Sequence, residues 1–222
     1  MDTTFPRLLL QHAARRPGAA AMREKEYGIW QTLTWADLAR MVEHIAWGLH
    51  QAGLTRGEHM VVIGANRPRL YATMLAAQSL GVVPVPLYQG AVGAECVFPI
   101  NNAGVGFALA GDQEQGDKLL EIRPQCPQLK EIYYDDPRGL RNYTEAGLAS
   151  LDELVGAGEV FAPQHPQLFR EEVEKGSPDD VASMTRRDRE ERDVVDGELG
   201  GPGREVLDDP VEDRLVVLDE IH

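Results

Sequence analysis

From Gly53 to Gly90 the apolar positions pass from a continuous run to a helical spacing and back to a run. Met60, Val61, Val62 and Ile63 stand together between Gly57 and Gly64, the pattern of a strand buried on both faces. Pro68 opens a helix, because at the first helical turn its missing N–H would have no partner anyway. Leu70, Met74, Leu75, Gln78 and Leu80 carry that helix, and Gly81 ends it. Val82, Val83, Val85 and Leu87 make a second strand. Pro84 and Pro86 deprive it of ladder donors, which places it at a sheet edge or ends it quickly. Strand, helix and strand form a βαβ unit, which implies a layered α/β domain.

The pattern on either side extends this architecture. A first helix is predicted from Thr4 to Arg15, with Leu8, Leu9, His12 and Ala13 on one side and Pro17-Gly18 as its stop. Ala20 to Arg23 and Ile29 to Leu33 read as a hairpin around Glu24 to Gly28, with Tyr27 and Trp30 covering its inner face. Thr34 is placed to cap the next helix, and Asp37 complements its dipole. Leu38, Met41, Val42, Ile45 and Leu49 repeat at helical spacing, so that helix is expected against the βαβ unit. Downstream the pattern predicts a helix from Ala94 to Asn102, a strand from Gly106 to Ala110, a helix from Gln113 to Ile122 and a strand from Lys130 to Tyr134. Short helices follow at Leu151 to Val155 and Phe169 to Lys175. The alternation predicts a parallel sheet with helices on its faces, and no internal repeat is visible.

The texture changes near Thr185. Residues 185–222 contain no Phe, Tyr or Trp, and their longest apolar runs are Val194-Val195 and Leu215-Val216-Val217-Leu218. So few anchors hardly offset about 1 to 2 kcal/mol of backbone entropy per ordered residue, so this acidic tail is expected to be poorly ordered. Leu215 to Ile221 reads as a late strand or a helical turn. Residues 171–222 hold 18 acidic and 7 basic side chains, a net charge of −11, against −3 for residues 1–170. That balance, with no local basic patch, argues against nucleic acid as a partner. No run of about 18 apolar residues predicts a spanning helix, and Met1-Asp2-Thr3 lacks the start of a secretory leader, so a cytoplasmic chain is expected.

Candidate chemistry is sparse. Cys96 and Cys126 have no CxxC spacing and no paired histidines, which predicts two reduced thiols. Gly64-Ala65-Asn66 follows a strand as a phosphate turn would, but lacks the other glycines of a dinucleotide fingerprint and reads as a structural turn, with Asn66 capping the helix begun by Pro68. His12, His44 and His50 sit in helical stretches as core or boundary residues, with no carboxylate or nucleophile beside them in sequence. Asp135-Asp136 and Asp208-Asp209 read as solvated turn residues. No catalytic, cofactor-binding or metal-ligating residue is assigned.

The wording of these elements resembles one family. A helix entered through Ala65-Asn66-Arg67-Pro68 and left through Gly81-Val82-Val83-Pro84-Val85-Pro86-Leu87-Tyr88 is similar to the N-terminal region of adenylate-forming acyl-CoA synthetases, most of all the long-chain fatty acid ligases. The agreement is collinear: Thr34-Trp35-Ala36-Asp37-Leu38, Gly48-Leu49, Gly53-Leu54, Gly57-Glu58, Asp112-Gln113-Glu114-Gln115, Leu119-Leu120-Glu121-Ile122 and Gly176-Ser177-Pro178-Asp179-Asp180-Val181-Ala182 follow in order. It covers residues 1–184, the N-terminal portion of the ligase domain, and leaves 185–222 outside it.

In such a ligase the sequence after Asp179-Asp180-Val181-Ala182 should enter a Ser/Thr/Gly-rich loop ending in Pro-Lys-Gly, whose backbone N–H groups, hydroxyls and lysine hold the phosphates. Here Met184 is followed by Thr185-Arg186-Arg187-Asp188, and Gly197, Gly200, Gly201 and Gly203 lack the hydroxyls and the lysine. The resemblance implies ATP, magnesium and coenzyme A for complete members and none for this chain alone. The expectation is a truncated or frameshifted ligase portion that is inactive unaided. The alternatives are a non-catalytic interaction module, including a complementing half that pairs with a full-length or partner ligase chain, and a stand-alone nucleotide-binding α/β protein. Codons for Tyr-Thr-Ser-Gly read one base late can give Thr-Arg-Arg, as at positions 185–187.

Overall fold

The computed structural model describes residues 3–185 and the backbone of a strand at 215–217. Five parallel strands form the central sheet: β3 (His59–Ile63), β4 (Val83–Leu87), β5 (Phe107–Ala110), β6 (Glu131–Tyr134) and β7 (Leu148–Ser150). Their order is β4-β3-β5-β6-β7, so β4 lies at one edge, where its two prolines are tolerated. β7 was not foreseen. At three residues it is too short to show a period.

Successive side chains of the inner strands point to opposite faces and build two half-cores. Met60, Val62, Phe107, Leu109 and Tyr133 face one side, against α1 (Phe5–Arg15), α2 (Trp35–Gln51), α3 (Pro68–Ser79), α6 (Leu151–Phe161) and α7 (Leu168–Glu174). Val61, Ile63, Ala108, Ala110 and Ile132 face the other, against α4 (Gly93–Asn102) and α5 (Gln113–Ile122). Helices on both faces of a parallel sheet are the layered α/β architecture expected from the pattern. α2 packs on α3, as its apolar spacing foretold.

α2 starts where its residues dictate. Thr34 Oγ1 accepts the Asp37 N–H at 3.2 Å, and the Asp37 carboxylate accepts the Thr34 N–H at 3.2 Å, a reciprocal capping box. Thr34→Ala should cost about 1 kcal/mol of stability, read as a lower urea midpoint with unchanged slope.

Several expectations need correction. The hairpin runs longer than its apolar pattern, as β1 (Ala20–Glu26) and β2 (Ile29–Thr34). Tyr27 and Gly28 alone make its turn, with φ of 48° and 80°. Tyr27 and Trp30 do not cover an inner face; they are 86% and 46% exposed, because the outer half of the hairpin projects past the helices. The N-cap of α3 is Arg67, with no side-chain cap, so Asn66 does not perform that role. α6 does not stop at Val155 but continues through Gly156 and Gly158 to Phe161. A glycine at 158 is required by contact: a Cβ there would lie 1.8 Å from the His44 carbonyl oxygen of α2.

Of the late apolar run, Leu215–Val217 forms β8, antiparallel to β1 with Val216 opposite Arg23, which makes the small sheet three-stranded in the order β2-β1-β8. Asp208-Asp209 and the expected disorder of the tail lie outside the described residues.

Candidate functional site

In an open parallel sheet the crevice beyond the carboxyl ends of the strands, where the winding reverses, is the default place for a ligand. Here the reversal falls between β3 and β5, at Gly64 and Gly111. The two glycines close it. A Cβ on Gly64 would stand 2.8 Å from Gly111 Cα, and the Gly111 N–H donates to the Ile63 carbonyl at 2.8 Å. Gly64-Ala65-Asn66 is therefore a packed structural turn.

Beside that point lies a polar crevice of about 400 Å³. Arg67 and Arg69 enter it from the start of α3, Asp135, Asp136 and Arg138 from the turn after β6, Asp152 from α6, and Glu24 and Glu26 from β1. Arg67 Nε meets Glu24 Oε1 at 2.6 Å, and its Nη2 lies 3.6 Å from Glu26 Oε1. Arg69 is shared between Asp135 and Asp152, at 2.7 Å each. Arg138 pairs with Asp136, its Nε 2.8 Å from Oδ2. Each arginine is thus already neutralised by a carboxylate, and the cluster fastens the hairpin and α6 to the end of the sheet.

Asp135 is not a solvated turn residue. Burial pushes its carboxyl up, against the opposing pull of Arg69 and then Arg67. Asp136 moves the other way, held below the usual carboxylate range chiefly by its hydrogen bond from the Arg138 side chain. The sign follows: a depressed Asp136 stabilises the fold fully above its unfolded value of about 4, and this contribution is lost as pH falls through the lower folded value. Arg138→Gln should therefore narrow the stability gap between neutral pH and about pH 3, measured as urea midpoints.

A second feature is of mixed character, with Glu95 and Asn102 beside apolar side chains. A groove of about 680 Å³ runs along the outer edge of β4, lined among others by Val85, Leu87, Tyr88, Cys96, Pro99 and Met184. The Val83 N–H donates inward to the Glu58 carbonyl at 2.9 Å, while the Pro84 carbonyl faces outward and accepts the Met184 N–H at 3.0 Å. Since backbone groups alternate along a strand, Pro86 also faces outward. The outer edge of β4 thus presents carbonyls at positions 84 and 86 and no N–H at either.

The remaining sequence candidates are structural. Cys96 and Cys126 are free, buried thiols. His12 lies tilted against Trp35 with ring centroids 4.5 Å apart, and His50 meets the edge of Trp47. His44 does gain a carboxylate, Glu159 on α6 at 3.4 Å, a contact that sequence distance concealed. Among the described residues no three His, Cys, Asp or Glu side chains converge as a metal site. No helix among them is long and apolar enough to cross a membrane.

This scaffold has relatives. The AMP-binding enzyme family matches residues 9–185, from within α1 to the groove beside β4. The chain belongs to that family. It is 24% identical over 148 residues to the long-chain-fatty-acid–CoA ligase FadD15 of Mycobacterium bovis, covering 65% of this chain and 24% of the relative. It is 30% identical over 111 residues to the uncharacterized protein Rv1549 of Mycobacterium tuberculosis, covering 50% of this chain and 62% of that one. Among solved structures, acetoacetyl-CoA synthetase from Streptomyces lividans shares the fold with a TM-score of 0.62 and 19% identity, over 69% of this chain and 25% of the synthetase. The chain spans about a quarter of the length of the ligase it matches.

The crevice at the winding reversal is filled by backbone, and the arginines that could meet phosphates are taken by carboxylates. Sequence reading missed this charged cluster. Its signals were Glu24 and Glu26 two apart on one face of a strand, and Asp135 directly after a buried parallel strand.

Proposed function

We propose that this chain is the N-terminal scaffold portion of an ATP-dependent long-chain fatty acid–CoA ligase, and that it forms no acyl-adenylate unaided. The observation that carries this reading is the family match to residues 9–185 in a sequence that holds no Ser/Thr/Gly-rich loop ending in Pro-Lys-Gly. The paired arginines support it, since among the described residues they leave no unpaired cation in that crevice. ATP, magnesium and coenzyme A belong, on this reading, to complete family members. The chain works in the cytoplasm, in keeping with its two free thiols.

The abrupt change to Arg186-Arg187-Asp188 supports a shift of reading frame near codon 184. Translation of the neighbouring frames should then show the missing loop; its absence from every frame would remove this explanation.

The purified chain, given ATP and a long-chain fatty acid, should release no pyrophosphate above background. Release dependent on both substrates would overturn the reading.

A second reading, a non-catalytic or complementing half, is favoured by one relative. Rv1549 is itself short, since 111 aligned residues make up 62% of it, whereas 148 make up only 24% of the ligase. The stand-alone nucleotide binder draws no support from the closed Gly64–Gly111 contact.

A further inference from the structure

We propose that the outer edge of β2 is the contact through which two copies of this chain associate, strand against antiparallel strand about a two-fold axis at Gln31. The inference goes beyond the ligase-portion reading and does not rest on it.

The edge is unguarded. In the order β2-β1-β8, β8 covers one side of β1 and β2 leaves the other margin of the small sheet open. Edge strands are usually protected by proline, charge, a bulge or shortness. β4 has its two prolines, and β7 spans only three residues. β2 has none of these: Ile29-Trp30-Gln31-Thr32-Leu33-Thr34 is rich in strand-favouring side chains and holds neither a proline nor a charge. The charges of the hairpin, Arg23, Glu24, Lys25 and Glu26, all stand on β1, as does the irregularity in pairing between Ala20 and Met22. Ile29 is 64% exposed beside the exposed Trp30.

The turn decides which backbone groups face outward. Tyr27 and Gly28 form a two-residue turn, so Glu26 and Ile29 close it as a hydrogen-bonded pair. Alternation then aims the N–H and carbonyl of Ile29, Gln31 and Leu33 at β1, and those of Trp30 and Thr32 away from it. Among the described residues no hydrogen bond reaches these outward groups.

Such an edge is complementary to itself. With the axis at Gln31, Trp30 of each copy stands opposite Thr32 of the other, and each N–H meets a carbonyl. On that face the two Trp30 rings are diagonal neighbours, within aromatic reach. On the opposite face Ile29 lies across from Leu33, and the two Gln31 amides meet on the axis. No charge crosses it. A two-fold contact uses the same edge of both copies and therefore stops at a dimer. A strand pair buries less than the roughly 1,200 Å² of stable specific interfaces, so association should be reversible and grow with concentration.

The test is sedimentation of the 222-residue chain over a concentration series. A monomer–dimer equilibrium is expected. Gln31→Lys and Gln31→Glu, which place like charges opposite each other, should each weaken association by at least about tenfold. Mixed together, with one of them tagged, the two variants should regain it as a heterodimer. Glu24, opposite Gln31 within the hairpin, is already held by Arg67, which limits the effect of either charge on the monomer. Thr32→Pro removes an outward donor at a place where an edge strand tolerates proline, and it should also give a monomer. Circular dichroism checks that each variant is folded. Hydrogen exchange of the unmodified chain needs no variant: the amides of Trp30 and Thr32 should slow from dilute to concentrated samples.

A chain that stays monomeric up to about 1 mM overturns the proposal. So does a dimer indifferent to folded variants, a mixture that regains nothing, growth past two copies, or concentration-dependent protection that spares 30 and 32. None of these outcomes bears on pyrophosphate release, which alone decides the inactivity of the chain.

Discussion

Gly158→Ala should unfold much of the molecule, while Gly156→Ala, two residues away on the same helix, should leave it intact or slightly more stable. At 158 the added Cβ would sit 1.8 Å from the His44 carbonyl oxygen, 2.7 Å from its carbon and 3.0 Å from the Gly48 N, all backbone of α2. Side chains can rotate away from such a contact, but two packed helices have to separate. Gly48 tightens the same crossing from the other side, where a Cβ would lie 2.2 Å from the Leu154 carbonyl oxygen. Overpacking that a core can absorb costs about 1 to 3 kcal/mol, and contacts against backbone on both helices put this case at or above the top of that range. At 156 nothing lies within 4 Å of the added methyl, so the helix simply trades glycine for alanine and gains up to about 1 kcal/mol. Urea midpoints of the two variants should move in opposite directions from wild type.

Trp47→Ala should cost about 3 to 5 kcal/mol, again read from urea unfolding by circular dichroism. Trp47 is fully buried, with ring centroids 5.2 Å from Phe161 and 6.1 Å from Phe169, so a single side chain joins α2, α6 and α7. Its removal leaves a hole that those two rings cannot fill without shifting their helices. Against a typical domain stability of about 5 to 15 kcal/mol, that loss leaves a marginal protein. Trp30→Ala is the control. Half exposed on the hairpin, Trp30 should change stability by no more than about 0.5 kcal/mol.

The element plan was legible because the inner strands are continuous apolar runs and the main helices carry clear stripes and caps. Met60 to Ile63, the Pro68 start and the Thr34–Asp37 cap all lie where local chemistry puts them. Even the edge position of β4 followed from Pro84 and Pro86. What sequence could not show was produced by tertiary contact. Gly156 and Gly158 look like a helix stop until α2 approaches, and the apolar Tyr27 and Trp30 look like cover until the hairpin is seen to project beyond the helices. Asp135 looked solvated for the same reason, since its partners Arg69 and Asp152 come from distant parts of the chain. The β4 edge was half legible: its prolines were read as an edge, but the carbonyls they aim outward depend on which side β3 occupies.

The two cysteines give this molecule a built-in clock. Both lie in the half-core that α4 and α5 form against the sheet, both are inaccessible, and burial pushes both thiols up. The other half-core, held by α2 and α6, has none. A thiol-labelling reagent can therefore react only when the α4–α5 side parts from the strands, because the thiolate must form and meet solvent first. Labelling faster than global unfolding therefore reports opening on that side of the sheet, and local motion of the layer behind it stays silent.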